Sequence, residues 1–287
     1  MNVLTPTTVP EACAVLAAHG GNAVPIAGAT DLLVHWPLRQ PEHDKTYLDL
    51  SALDELRSIT WTADAIRLGA LTTYWDVLND PQIASAFPLL INAARQVGAV
   101  QIQSRGTWAG NIANGSPAAD GVPVLMAYDA RVVLTSRAGS REVPLSAYYT
   151  GYRASVKRPD ELITAIIIPK RTYDFAVFHK VGPRRAQAIT KVGVAIVHET
   201  SGSWRIVANS AAPTVRRCPA VERLIASAAP IRSPDDFRPA AMQDITPIND
   251  IRSTADYRMT VFCRLLYHSL SGGPGGTGVS GGPPVRP

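Results

Sequence analysis

The chain has 287 residues, of which 46% are hydrophobic and 18% charged, with a net charge of +5; this suits one large or two medium folded domains. The longest strongly apolar stretch, LITAIII at 162–168, falls far short of the ~20 residues a membrane-spanning helix needs, and no basic segment followed by an apolar run opens the chain, so the default expectation is cytoplasmic with no membrane span. Cys13, Cys218 and Cys263 lie far apart without a C-x-x-C, which excludes a zinc or iron–sulfur site on this chain and makes disulfides unexpected; no metal ligands are assigned.

In chain order, Thr8 is placed to cap a helix that Pro10 and Glu11 open and Gly20–Gly21 close. In AVPIAGATDLLVHW a short apolar strand ends at Gly28, and Thr30 or Asp31 caps a new helix through Leu32, Leu33 and Val34. Strand, glycine turn and helix is the order that aims backbone N–H groups at an anion. Neither G-x-G-x-x-G nor the lysine of a Walker loop is present, which argues against a Rossmann or kinase fold. A strand follows at 46–50, with a weak capping-box turn at Ser51–Asp54. LRSITW and AIRLGA read as two strands around a hairpin turn, and helices run through TTYWDVLND and FPLLINAARQVG. The next segment, TWAGNIANGSPAAD at 107–120, has two glycines, two asparagines and few large apolar side chains. It reads as an extended or turning piece whose backbone approaches something closely, with a solvated loop as the alternative. A helix at 119–127 and strands at RVVLTS and ELITAIIIP come next.

From Arg171 the character changes. YDFAVFHKV, AITKVGVAIVHET and SWRIVANSAAPT form an antiparallel meander, followed by two or three helices ending in the amphipathic STADYRMTVFCRLLYHSL. The Gly/Pro-rich 271–287 has little to bury and is expected to be disordered alone in solution. The fold class is therefore α+β. Residues 1–170 make one domain with two subdomains split near 55, 171–270 make a smaller domain of antiparallel sheet plus helices, and 271–287 make a tail.

Gly28 and Gly110 each sit beside a threonine, Thr30 and Thr107. Brought together, two such turns surround one pyrophosphate with N–H groups and hydroxyls, and Asp120 then accepts from ribose or adenine groups; either turn alone is only a turn. The basic run KVGPRR at 180–185 lacks the interleaved aromatics of a single-stranded nucleic-acid groove. It fits a phosphate-bearing small molecule or an acidic partner surface, and no nucleic acid is expected. The six histidines are scattered, none pairs with Cys or Ser in a triad, and no catalytic residue is assigned. Strand alternation puts His179 and Lys180 on opposite faces.

IAGATDLLV, TWAGNIANGSPAADGVPVLMAYDA and FHKVGPRRAQAITKVGVA, in that order and spacing, resemble the flavin-binding medium subunit of the xanthine dehydrogenase, or molybdenum hydroxylase, family. The resemblance covers nearly the whole chain except its tail, and medium subunits acting on purines, aldehydes, N-heterocycles and carbon monoxide look alike. It implies a two-subdomain FAD-binding fold of the vanillyl-alcohol-oxidase (PCMH) type with a C-terminal domain. FAD would be bound by Ala27, Gly28, Ala29, Thr30, Asp31 and Leu32 in a first loop, and by Thr107, Ala109, Gly110 and Asn111 in a second, with Asp120. Ile163 would lie beside the flavin and Lys180 near its ring edge or ribityl chain; on their own terms these are equally a strand-core residue and a solvated lysine. The resemblance also implies a large molybdenum-cofactor subunit and a small [2Fe–2S] subunit, as a heterotrimer or its dimer, with NAD⁺, oxygen, a quinone or a cytochrome as terminal acceptor. Two departures stand out: Ala29 and Ala109 occupy positions that are usually glycine in the family. They keep open a non-catalytic assembly subunit that has lost FAD, beside the further alternative of a stand-alone flavoenzyme.

Overall fold

Parallel strands need crossover connections, and the first fifty residues are built around two of them. The computed structural model describes residues 2–35 and 45–271, so the tail read as disordered lies outside the described residues from 272 onward. Strand β1 (Asn2–Leu4) is followed by α1 (Val9–His19), β2 (Ala23–Ile26), α2 (Leu32–His35) and β3 (Thr46–Asp49). The three strands form a parallel sheet in the order β1-β3-β2. Thr8 Oγ1 accepts from the Glu11 N–H at 3.3 Å, and Gly20 ends α1 at φ +54°, a conformation in which glycine carries no steric cost.

A second sheet begins with β4 (Ile59–Trp61) and β5 (Ala65–Gly69). The chain then leaves it through α3 (Tyr74–Leu78), α4 (Pro81–Ala86), α5 (Pro88–Gln96), α6 (Val100–Gln103), α7 (Trp108–Asn114) and α8 (Gly121–Ala127). It returns as β6 (Arg131–Ser136) and β7 (Gly139–Pro144), makes a small hairpin of β8 (Tyr149–Gly151) and β9 (Ala154–Ser155), and closes with β10 (Leu162–Pro169). The order is β4-β5-β10-β6-β7, antiparallel throughout. β10 lies at the centre, buried along most of its length, which is why its sequence is a continuous apolar run rather than an alternation.

The meander read from Arg171 onward is present as β11 (Tyr173–Val181), β12 (Val192–Glu199) and β13 (Trp204–Asn209), extended by the two-residue β14 (Arg216–Arg217). Helices α9 (Pro219–Ala226), α10 (Arg238–Asp244) and α11 (Ala255–Leu270) follow. This sheet is a wall between two cores. Ala195, Val197 and Val207 face the larger core of the first two sheets, while Val194, Ile196, Ile206 and Ala208 face a second core with Phe237, Phe262 and Leu266. Successive residues of a strand point to opposite faces, so a strand apolar at every position is one buried on both sides. All three cysteines are free and buried. Among the described residues no helix is long and apolar enough to cross a membrane.

Several local readings are corrected. No capping box forms at Ser51–Asp54: a 3₁₀ turn covers Asp54–Arg57, with Leu53 at its cap position and no side-chain cap bond. Reciprocal boxes form instead at Thr73 and Asp76, opening α3, and at Ser233 and Asp236. The helix expected from 119 starts at Gly121. The segment at 107–120 is neither extended nor a solvated loop over its first half, because Trp108, Ala109 and Ile112 are buried at helical spacing.

Glu161, 1% exposed at the start of β10, receives Arg141 through two bonds at 2.6 and 2.9 Å and the Arg158 N–H at 2.7 Å. Burial raises its carboxyl, but these donors outweigh burial and hold it below the usual carboxylate range. The stabilisation is complete above the unfolded-state value and is lost as pH falls through the lower folded-state value. Glu161→Gln is expected to cost about 2 kcal/mol at neutral pH, partners being half-exposed. The gap from the parent should close on acidification, as urea unfolding at a series of pH values will show.

Candidate functional site

The two glycine segments meet. A Cβ built on Gly28 would stand 1.8 Å from the Arg105 carbonyl oxygen and 2.6 Å from its carbon, so the backbone after β2 lies directly on the backbone before α7. Arg105 Nε in turn donates to the Gly28 carbonyl at 3.4 Å. Gly106 continues the contact: its missing side chain faces Thr30 Oγ1 at 3.5 Å and the Tyr74 ring at 3.4 Å, and its carbonyl accepts the Tyr74 N–H at 3.1 Å. Thr107 pairs with Thr73 in an isolated antiparallel bridge and caps α7, its Oγ1 accepting the Gly110 N–H at 2.9 Å. Gly110 is therefore in the first turn of a helix and not in a turn after a strand; Gly115, at φ +62°, ends that helix. Ala29 adopts φ +59°, a left-handed conformation that costs a residue with a Cβ about 1 kcal/mol. The methyl group does not prevent the turn its position requires.

Between the segments lies a cleft of ≈ 520 Å³, within the range of small-molecule sites. Ala27, Gly28, Ala29, Thr30, Asp31 and Leu32 line one side, Thr107, Ala109, Gly110 and Asn111 another, and Ile163 a third. Tyr74, Val97, Ile102, Lys157, Glu161 and Leu162 also line it, and the sequence reading missed them. They come from a helix start, a helix exit and the approach to a strand, none of which has a motif; the glycine of SRGT was the one local signal that backbone passes close by. Two lining residues, Tyr74 and Asn111, carry side-chain oxygens that are buried with no partner in the protein; Trp108 Nε1 and Thr72 Oγ1 are likewise unpaired, as are Tyr173 Oη, Arg205 Nη1, Asn209 Nδ2 and Arg258 Nε outside the lining. Buried groups without a partner are uncommon in folded chains.

Asp120 and Lys180 are not in the cleft lining. Lys180 Nζ donates to Asp120 Oδ2 at 2.6 Å and to the Gln96 carbonyl at 2.9 Å, and Thr190 Oγ1 donates to Asp120 Oδ1 at 2.5 Å. Both oxygens of the acid are thus engaged by protein. Burial raises the Asp120 carboxyl, while the Lys180 ammonium and the Thr190 hydroxyl pull it down. The pair ties α5 and the start of α8 to β11 and the start of β12. His179, on the other face of β11, is half-buried, and burial lowers its imidazole below the usual range. Past the ion pair opens a second cavity of ≈ 560 Å³, lined by Arg95, Gln96, Gly98 and the whole of 180–188, including Arg184 and Arg185.

Residues 1–171 match the family described as the FAD binding domain in molybdopterin dehydrogenase, and 177–271 match the CO dehydrogenase flavoprotein C-terminal domain. The carbon monoxide dehydrogenase medium chain of Hydrogenophaga pseudoflava is 29% identical over 93% of this chain and 94% of its own. The nicotinate dehydrogenase FAD-subunit of Eubacterium barkeri is 35% identical over 66% of this chain and 65% of its own. A chain in the solved structure of the H. pseudoflava carbon monoxide dehydrogenase lacking the Mo-pyranopterin moiety superposes with a TM-score of 0.85 at 27% identity, over 95% of this chain and 96% of that one.

Gly28→Ala drives a methyl group into backbone that cannot rotate away, and is expected to destabilise the chain by about 2 kcal/mol. Gly21→Ala, with open space around it, should stay within about 0.5 kcal/mol of the parent. Chemical denaturation of both variants compares them, and equal stabilities would contradict the close approach.

Proposed function

Because the chain belongs to the family built on the FAD-binding domain of molybdopterin dehydrogenases, we propose that it is the FAD-binding electron-transfer subunit of a molybdenum-containing hydroxylase or dehydrogenase. Substrate is oxidised at a molybdenum cofactor on a large partner subunit, electrons cross [2Fe–2S] clusters on a small one, and this chain passes them to a terminal acceptor. The three form a heterotrimer or its dimer. The observation that carries this reading is the cleft between Gly28 and the start of α7, closed by backbone contact and lined by both glycine segments.

The residues present fit FAD. The start of α2 offers N–H groups and the Thr30 hydroxyl to the diphosphate; in the first turn of α7 the N–H groups of Trp108, Gly110 and Asn111 are taken by the Thr72 carbonyl, the Thr107 hydroxyl oxygen and the Thr107 carbonyl, which leaves the Ala109 N–H and the Thr107 O–H proton. Val97, Ile102, Leu162 and Ile163 give the cleft apolar walls that keep water off a bound ring. When bound, the flavin supplies the redox chemistry itself, and the protein's part is placement, electrostatics and access. No side chain of this chain is assigned as a proton donor, base or nucleophile. Asp120 and Lys180 act as a buried pair that holds the meander against the helices at the end of the cleft. The left-handed turn is kept with alanine at 29, as it is at Ala228, so the Cβ there does not of itself favour an assembly subunit that has lost its cofactor.

Arg95, Arg184 and Arg185 give the second cavity a positive lining, so among the possible acceptors it favours a phosphate-bearing molecule such as NAD⁺. Fluorescence titration of the full-length apo chain should give saturable FAD binding at micromolar protein or below; a flat titration would remove the proposal. Anaerobic photoreduction of the loaded complex followed by mixing with NAD⁺ should yield NADH, and reduced flavin that persists would eliminate NAD⁺ as acceptor.

A further inference from the structure

Lys157 belongs to neither glycine segment, yet among the described residues it is the single lysine or arginine in the lining of the cofactor cleft. It lies in the turn between β9 and β10, half-buried. Its Nζ donates to two main-chain carbonyls, Arg158 at 3.2 Å and Glu161 at 2.9 Å. No carboxylate is bonded to it, because that of Glu161 is taken up by Arg141 and Arg158. With its carboxylate turned to those arginines and its side chain 1% exposed, Glu161 meets the cleft through its main chain, and that main chain holds the ammonium. An ammonium has three protons to donate, so one is left without a protein acceptor and the charge without a bonded counter-ion.

The chemistry of that group limits what it can serve. It only donates, and it carries a full charge, so its complement is an anionic acceptor. Burial lowers the Lys157 ammonium below the usual lysine range, against the upward pull of the Glu161 and Asp160 charges. The short helices α2 and α7, of four and seven residues, add partial positive charge alone at their starts. A diphosphate held in the cleft therefore lacks a full counter-charge from any other lining side chain. Resting on the FAD reading above, we infer that Lys157 Nζ donates its third proton to an anionic acceptor of the cofactor, a diphosphate oxygen or the ring of the reduced flavin, and that Lys157 is a cofactor-binding residue.

Lys157→Met in the full-length chain keeps the apolar stem, removes the ammonium and tests this. If the partner is the diphosphate, affinity for oxidised FAD by fluorescence titration should fall about tenfold at low salt, the effect of one charge-assisted hydrogen bond. Salt screens that attraction in the parent, so the gap between parent and variant closes as ionic strength rises. If the partner is the ring, whose charge appears on reduction, the midpoint potential of the FAD-loaded chain should drop by about 30 mV whatever the salt, the two-electron equivalent of a tenfold weaker hold on the reduced form. Affinity and potential both equal to the parent's would overturn the inference. So would a loss of affinity that salt does not change, with the potential unmoved, which marks a turn that has lost the donor to its own two carbonyls. A parent chain that binds no FAD would remove the functional proposal and this inference together, whereas a parent that binds FAD and a variant that matches it remove this inference alone.

Discussion

The contact of one backbone with another at Gly28 and Arg105 sets the geometry of everything that follows. Two stretches almost eighty residues apart touch where Gly28 has no side chain to hold them apart, and a Cβ there would stand 1.8 Å from the Arg105 carbonyl oxygen. Close approach of this kind cannot be had with any other residue. Once the contact forms, Gly106 and Thr107 are placed beside Thr30 and Tyr74, and the first turn of α7 faces the loop that precedes α2. The cleft is the space that remains when those two backbones meet, so its shape follows from main chain more than from the side chains lining it.

A second constraint works at the other end. The Lys180–Asp120 pair, completed by the Gln96 carbonyl and the Thr190 hydroxyl, crosses from the helices of the second sheet to the meander. Buried pairs of this quality contribute little net stability, but breaking one leaves a charge with nowhere to go. Its effect is therefore to fix how the meander wall sits against the cleft. Apolar burial does the bulk of that joining, through Phe178, Ala195, Val197 and Val207, which belong to the larger core. The ion pair adds direction to a contact that hydrophobic packing alone would leave free to slide. Lys180 also borders the positively lined second cavity proposed for the acceptor.

The cleft is also under-satisfied in a particular way. Two of its lining residues, Tyr74 and Asn111, carry buried oxygens that the fold leaves without partners, and its first loop holds an alanine in a conformation suited to glycine. Each is unfavourable in the empty chain.

Much of this was legible in the residues themselves. The strand–glycine–helix order at 23–35, the hairpin at 59–69, the helix caps at Thr8 and the unbroken apolar runs of β10 and β12 all rest on local chemistry: propensity, capping and the period of burial. The family resemblance likewise rested on short runs of residues. What the residues alone could not decide was which runs meet. The helix at 108–114 escaped because small residues lower apparent helical character while packing closely against α8 and β10, and that density becomes visible only when the neighbours are known. Tyr74, Lys157 and Glu161 escaped because each takes its place in the cleft from a chain segment distant in sequence. Asp120 and Lys180 were both named, but that they bind each other is a property of two elements brought together from sixty residues apart. Local sequence specifies conformation residue by residue; a site built from backbone proximity and buried polar pairs exists only once the long-range contacts are made, and those the tertiary structure alone decided.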